Sequence, residues 1–385
     1  MKRTLASFIT LLLTGSGALA ADAKLDHDGL TLRLADKAVE LNVGGRLHMD
    51  SARYDSDLDG KSSGSGLRRA RVGLSADIAD RLRLRGEYEF ASQGRGWKSL
   101  WAAFRFNDRL QLRAGQQTAP FSMESIASSN NISLMERSLL GSLAPNLLTG
   151  ADLEWQGRSS TFSVGYFGNS LSQDPGDNLD SGRSLVGRLT HHGGRSRSRW
   201  HVGLATEFRQ LNGGATSRVR STAGFALDSP TVLSTGRLAG IDNYIAVGGE
   251  LGLQAGAWNL QGQFMRRANR APTLGNPQYD AAYVQVAWAI TGESRGYSER
   301  QGVFTDIRPR HDFGALELVA RVSQLDLNNA TVTGGFQRDV ALGVNWMIGR
   351  NARLMADHVW SRATPNRNGV DEKVNAWGLR AQVDF

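Results

Sequence analysis

The sequence predicts an all-β protein, a transmembrane antiparallel β-barrel of about sixteen strands with an inward-folded constriction loop. Three observations carry that prediction. The chain opens with Met1-Lys-Arg-Thr, an apolar stretch from Leu5 to Leu13 and a small-x-small site at Ala18-Leu-Ala20, the layout of an export signal cut after Ala20. Its last nine residues alternate without interruption, with Trp377, Leu379, Ala381, Val383 and Phe385 on one side and Gly378, Arg380, Gln382 and Asp384 on the other, as a strand between lipid and water must. No apolar run reaches the ~20 residues a spanning helix needs, since Thr10, Thr14, Gly15, Ser16 and Gly17 interrupt the first one. The expected division is a signal peptide over 1–20, a short periplasmic N-terminal segment over 21–38 and a β-barrel over 39–385.

Scored for period-2 alternation, the chain yields strands at 39–50, 67–77, 81–91, 98–106, 110–117, 150–157, 160–169, 183–192, 197–210, 243–255, 257–268, 278–291, 314–325, 337–348, 350–361 and 373–385. Residues 30–34 suggest a further short strand or hairpin arm. In 81–91, Leu82, Leu84, Tyr88 and Phe90 face one way, and Arg81, Arg83, Arg85, Glu87 and Glu89 the other. Five charges on one face need water. A soluble sandwich would need only seven to nine strands, and an even number closes an antiparallel barrel.

The connections alternate short and long, which sets brief periplasmic turns against outer loops at 51–66, 118–149, 169–182, 211–242, 269–277, 326–336 and 362–372. One periplasmic connection, 292–313, is far too long for a turn. The loop 118–149 carries Phe121, Met123, Ile126, Ile132, Leu134, Met135, Leu139, Leu140, Leu143, Leu147 and Leu148. A solvated loop has no use for them, so this one is expected to fold into the barrel and narrow it.

Composition bounds the function. Cysteine is absent, so an exported chain of 385 residues is held together without disulfides or thiolate metal sites. The formal charge is +8, and 39 of the 45 basic residues are arginine, whose planar fork suits phosphate and carboxylate. Nucleic acid is a poor partner for an exported chain whose arginines sit on strand faces. The seven histidines are scattered without HExxH spacing, Gly60–Gly64 only loosely resembles a nucleophile elbow, and Gly44-Gly45 and Gly213-Gly214 precede no helix. Neither a metal, a cofactor nor an enzymatic role is expected.

Alternation places Arg46, Arg69, Arg71, Arg83, Arg85, Arg105 and Arg113 on the inward face of the first wall, opposite outward Ala70, Val72, Leu74, Leu82, Leu84, Phe104, Leu110 and Leu112. Such a column lets an anion exchange partners step by step without a trapping well. The competing reading is that these cations pair with inward Asp77, Glu87, Glu89, Asp152, Glu154, Glu207, Glu250 and Glu317. Arg69 and Arg71, with no acid on their own strand before Asp77, are expected to be the freest.

Leu67-Arg-Arg-Ala-Arg-Val-Gly-Leu-Ser75, Gly115-Gln-Gln-Thr-Ala-Pro-Phe-Ser-Met-Glu124, Ser128-Ser-Asn-Asn-Ile132, Met135-Glu-Arg-Ser-Leu139, Trp288-Ala-Ile-Thr-Gly-Glu-Ser-Arg-Gly-Tyr297 and Gly343-Val-Asn-Trp346 resemble, in order, the signature stretches of the phosphate-selective porins O and P. The resemblance implies a homotrimeric outer-membrane channel for small anionic solutes, phosphate or polyphosphate, surrounded by outer-membrane lipid and inserted by the barrel-assembly machinery through Phe385. It implies ladder roles for Arg46, Arg69 and Arg71, and constriction-loop roles for Thr118, Glu124, Ser128, Asn130 and Arg137. Arg218 and Arg220 would be outer rungs, and Arg295, Arg300, Arg308 and Arg310 would belong to a periplasmic segment that enters the lumen. Where the family commonly has a lysine before the Pro-Phe pair this chain has Gln117-Thr118-Ala119, which implies a weaker central well.

Overall fold

The computed structural model describes residues 22–26, 29–34, 38–172, 179–195, 197–227 and 229–385; the expected signal peptide lies outside them. In chain order the strands are β1 (Asp22–Asp26), β2 (Gly29–Leu34), β3 (Val39–Ser56), β4 (Gly60–Ile78), β5 (Leu82–Glu89), β6 (Gly96–Arg105), β7 (Leu110–Thr118), β8 (Leu147–Gln156), β9 (Ser160–Gly168), β10 (Gly182–Arg195) and β11 (Ser198–Leu211). They continue as β12 (Arg220–Thr222), β13 (Thr231–Ser234), β14 (Asn243–Ala255), β15 (Trp258–Arg270), β16 (Gln278–Ala289), β17 (Arg295–Ser298), β18 (Val303–Ile307), β19 (Ala315–Asn329), β20 (Val332–Ile348), β21 (Ala352–Ala363) and β22 (Glu372–Asp384). Sixteen of these, β3–β11, β14–β16 and β19–β22, pair antiparallel in sequence order. The ring closes where β22 pairs with β3 from Val374↔Ser56 to Asp384↔Arg46. A closed ring satisfies every strand edge, as hydrocarbon requires.

The terminal aromatic completes that seam. The Phe385 N–H donates to the Gly45 carbonyl at 3.0 Å, and the Gly45 N–H to the Phe385 carbonyl at 2.7 Å. A Cβ at Gly45 would lie 2.7 Å from both the Arg71 carbonyl oxygen and the Phe385 ring, so only glycine lets the strands approach here.

All sixteen strands read from alternation lie on barrel strands, twelve of them with longer outer ends. Residues 51–66 and 326–336, expected to be loops, are mostly strand: β3 and β4 pair as far as Ser56↔Gly60, and β19 and β20 as far as Asn329↔Val332. Beyond the lipid both faces meet water, so the apolar alternation stops while the backbone ladder continues. β2 pairs with the first residues of β3, Leu30↔Val43 to Leu34↔Val39, and β1 folds back on it, forming an arm at the short-turn end of the barrel.

The outward face is apolar, with Leu74, Val72, Leu185, Leu204, Val284, Leu342 and Leu379 among its exposed residues. Trp258 and Trp288 stack near the turn end, their centroids 5.0 Å apart, as in an interfacial girdle. The hydrophobic core lies inside the barrel, because three connections fold into the lumen. Residues 118–149 bury Phe121, Leu134, Met135, Leu139, Leu140 and Leu143 against Phe167, Val186, Tyr244, Met265 and Tyr283 of the wall. The connection 211–242, carrying the β12–β13 hairpin, buries Val219, Phe225, Val232 and Leu233 against Tyr54, Val359 and Val374. The β17–β18 hairpin brings Val303 and Phe304 up to Met123.

Wall glycines receive these knobs. A Cβ at Gly343 or Gly378 would come within 2.6 Å of Leu134 or Phe225, and at Gly248 within 3.1 Å of Phe121. The inserted core thus fills the side of the lumen facing the later strands. The side facing β3–β8 stays open.

Candidate anion pathway

The open side is a cavity of about 750 Å³ reaching from the barrel wall to the inserted loop. Arg46, Arg68, Arg69, Arg71, Arg83, Arg85, Arg105, Arg113, Arg137, Arg188, Arg300 and Lys98 line it, with Glu87, Glu89 and Glu154 the acids on its surface. All seven first-wall arginines read as inward from alternation are among them.

Most are paired, and Arg71 is the clearest departure from expectation. Its Nε donates to Glu89 at 2.7 Å and its Nη1 to Glu87 at 3.1 Å. Glu87 also receives Arg46 at 3.2 Å and Arg85 at 3.0 Å. Asp77 holds Arg83 at 2.7 Å and Arg105 at 3.5 Å, while Asp152 and Glu154 hold Arg113 at 3.2 and 2.6 Å. Arg69 is only 2% exposed, lying 3.8 Å from Glu136 and 3.3 Å from His48 Nδ1. Arg69 and Arg71 are therefore not the freest cations; their acids come from a neighbouring strand and from the loop.

Two cations that alternation missed reach the cavity through bulges. Between His48↔Arg69 and Met49↔Leu67 the ladder holds one extra residue, Arg68. Between Glu87↔Ser99 and Tyr88↔Trp97 it holds Lys98. A bulge re-aims a side chain against the two-residue period, and both point inward to line the cavity. Arg68 forks onto Glu136 at 2.6 and 2.9 Å. Lys98 has no ion pair among the described residues.

The inserted loop is pinned by charge. Glu136 sits among Arg68, Arg69 and Arg380; burial opposes its ionisation most strongly, yet these guanidiniums together hold its carboxyl far below the usual range. Arg380 also forks onto Asp50, both contacts at 2.7 Å, and donates to the Met135 carbonyl at 2.6 Å. Arg353 reaches the Asn130 and Ile132 carbonyls, and Asp357 accepts the Met135 N–H at 2.6 Å.

Of the expected loop residues, Thr118, Ser128 and Arg137 line the cavity. Ser128 accepts from Arg46 at 3.2 Å and Asn130 lies 3.2 Å from His48. Glu124 is buried, accepting the Ser138 N–H at 2.8 Å and hydroxyl at 2.6 Å. Arg137 donates to the carbonyls of Glu124 and Ala127, each at 2.8 Å, which leaves its charge facing the cavity without an ion pair among the described residues.

The arginines of the 292–313 connection divide. Arg300 lines the cavity. Arg295 is buried, forked onto Glu317 at 2.7 and 2.8 Å and donating to the Asn131 carbonyl, so it clamps hairpin to loop. Arg308 and Arg310 are exposed and stand outside the cavity lining, as do Arg218 and Arg220 of the 211–242 connection. Arg188, not singled out by the sequence reading, forks onto Glu250 at 3.0 and 2.7 Å and holds the Gln301 and Gly302 carbonyls of the hairpin tip.

A closed sixteen-strand barrel with a lipid-facing apolar belt and a charged passage narrowed by inserted loops is a porin of the bacterial outer membrane. Residues 41–385 match the phosphate-selective porin O and P family, and the chain belongs to it. It is 24% identical to Porin O of Pseudomonas aeruginosa, with 89% of this chain and 88% of that one covered, and 24% identical to an uncharacterized protein of Caulobacter vibrioides over 89% and 73%. Among solved structures it is similar to OmpT of Vibrio cholerae, at TM-score 0.57 and 15% identity over 92% of this chain and 100% of that one. It is also similar to an anion-selective porin from Comamonas acidovorans, at TM-score 0.57 and 11% identity over 90% and 100%.

Proposed function

We propose that the protein is a passive anion-selective channel, with phosphate or polyphosphate as the leading solutes, working without a cofactor. The observation that carries this reading is a charge count along the cavity. Among the described residues twelve cations line it, and the carboxylates within ion-pair reach of them are Asp77, Glu87, Glu89, Glu136, Asp152, Glu154 and Glu250, which leaves an excess of five positive charges. A field of one sign in a narrow passage with low-dielectric walls concentrates counter-ions. Guanidinium N–H groups then replace part of an anion's hydration shell. The anion-selective Comamonas porin and Porin O lend the reading support by likeness.

Arg46, Arg71, Arg85 and Arg113 serve in this reading as paired rungs, and Lys98 and Arg137 as cations free to meet the solute. Assembly as a homotrimer belongs to it as well, since a trimer form of Vibrio cholerae OmpT shares the fold at TM-score 0.53. Export by residues 1–20 and insertion through Phe385 complete it.

A less selective diffusion porin for small nutrients, such as organic acids or sugars, is the second reading. The dense pairing of the rungs and Thr118 in place of an ammonium favour it, because both soften the central well. Planar-bilayer recordings separate the two. Anion selectivity predicts a reversal potential of chloride sign in a potassium chloride gradient, and millimolar phosphate should reduce the chloride current. A chloride current indifferent to phosphate would favour the second reading, and a zero reversal potential would defeat the first.

A further inference from the structure

The outer end of the barrel carries a row of cations that the pore does not use. β20, β21 and β22 lie side by side, and their register sets Arg338 opposite Arg362 and Arg362 opposite Lys373. All three are exposed while their chain neighbours Gln337, Asp339, Ser361, Ala363, Glu372 and Val374 are buried, so the row faces away from the lumen. Directly opposed side chains on adjacent strands have Cβ atoms about 5 Å apart, and like charges so placed repel.

Local compensation is slight. Arg362 approaches Asp371 at 3.9 Å, with the two side chains 62% and 66% exposed. The Arg338 guanidinium stands 5.8 Å from the Phe336 ring centroid. Neither Arg338 nor Lys373 has an ion pair among the described residues. The Asp57 carboxylate is engaged by the Lys373 backbone N–H at 2.8 Å, so three cations in line outnumber the two carboxylates beside them, Asp57 and Asp371, and an outside anion would offset the remaining repulsion.

The wall beside the row is apolar. One step toward the turn end the register places Trp360 between Val340 and Asn375, and one step further it places His358 between Leu342 and Trp377. There the surface dips into a groove of about 760 Å³ lined by Leu342, Val344, His358, Trp360, Trp377 and Leu379. Cations above an oily groove on the lipid-facing wall match an amphiphile with an anionic head.

We propose that this strip binds a phosphorylated lipid of the outer leaflet, with phosphate monoester oxygens bridging Arg338, Arg362 and Lys373 and an acyl chain lying in the groove. Each head contact is a charge-assisted hydrogen bond. The aromatic rings mark the depth at which head gives way to chain.

Full-length folded protein in detergent, titrated with diphosphorylated lipid A and followed by native mass spectrometry, tests the assignment. The R338Q/R362Q/K373Q variant should bind at least tenfold more weakly, and dephosphorylated lipid A should not distinguish it from the parent. Raising sodium chloride from 0.05 to 0.5 M should weaken the parent's binding, which supplies a test on the unmutated chain. An unshifted mobility difference between unheated and boiled samples, and an unchanged chloride conductance, would show that the variant is folded and its pore intact. Equal lipid binding by parent and variant would overturn the proposal. So would inorganic phosphate competing at the row as well as the lipid does, which would mark a free-ion site, or loss of self-association in lipid-free variant, which would mark a contact between copies.

Discussion

At the scale of single residues, Lys98 and Arg71 make opposite tests of the pathway. Lys98 lacks an ion pair among the described residues, so Lys98→Gln removes one mobile-ion contact and exposes no carboxylate; anion-over-cation permeability should fall roughly twofold, with folding unaffected. Arg71→Gln strips Glu89 of its 2.7 Å partner and Glu87 of one of three, so it both subtracts a cation and turns carboxylates toward the passage. Its selectivity loss should exceed that of Lys98→Gln, and reversal potentials in a salt gradient measure both. Alternation placed Arg71 inward correctly because the two-residue period is local to one strand. It could not reveal Glu89 directly across the ladder, which depends on register with the next strand. Nor could it find Arg68 or Lys98, because a bulge is a break in the period on which the reading rests.

At the scale of elements, the inserted loop is held by a carboxylate that three guanidiniums share. Glu136→Gln would leave Arg68, Arg69 and Arg380 crowded around a neutral amide, and breaking a buried pair of this kind costs about 3–5 kcal/mol. The barrel should survive while the loop loosens, and single-channel records should show increased open-channel noise. Because the Glu136 carboxyl is held below its ordinary range, its anchorage is present above the unfolded carboxylate's titration and is lost only as pH falls through the lowered value. The loop's inward course was legible from its eleven apolar residues. A weaker form of the same signal stands in 211–242, where Val219, Phe225, Leu227, Val232 and Leu233 are buried; there the apolar residues are spread among serines, threonines and glycines, and the second insertion does not stand out. Closure at the seam gives another check: Gly45→Val should hinder folding, seen as loss of the compact band on unheated gels, because the new side chain meets the Arg71 carbonyl and the Phe385 ring.

At the scale of the whole molecule, the ring and the arm are separable. The β22–β3 ladder closes the barrel along eleven register pairs, and the arm adds pairing to it only at residues 30–34 and 39–43 of the short-turn end. Deleting residues 22–34 should leave conductance and selectivity unchanged, and a lost or altered unitary current would show that the arm shapes the lower mouth. Strand number and order were legible because lipid enforces alternation on every spanning segment. The strands' full length was not, since polar residues pair as readily as apolar ones once outside hydrocarbon.

Leu140, 1% exposed within the lumenal core, lines no part of the cavity that solute would cross. Yet the depth to which the inserted loop settles depends on how well such residues fill the space behind it. In most proteins an interior leucine governs melting; here, where the cylinder stands by itself, trimming it to alanine should alter the bore. The width of this aqueous passage is thus set by dry packing on its far side, and selectivity by size can drift through substitutions that no permeating ion ever meets.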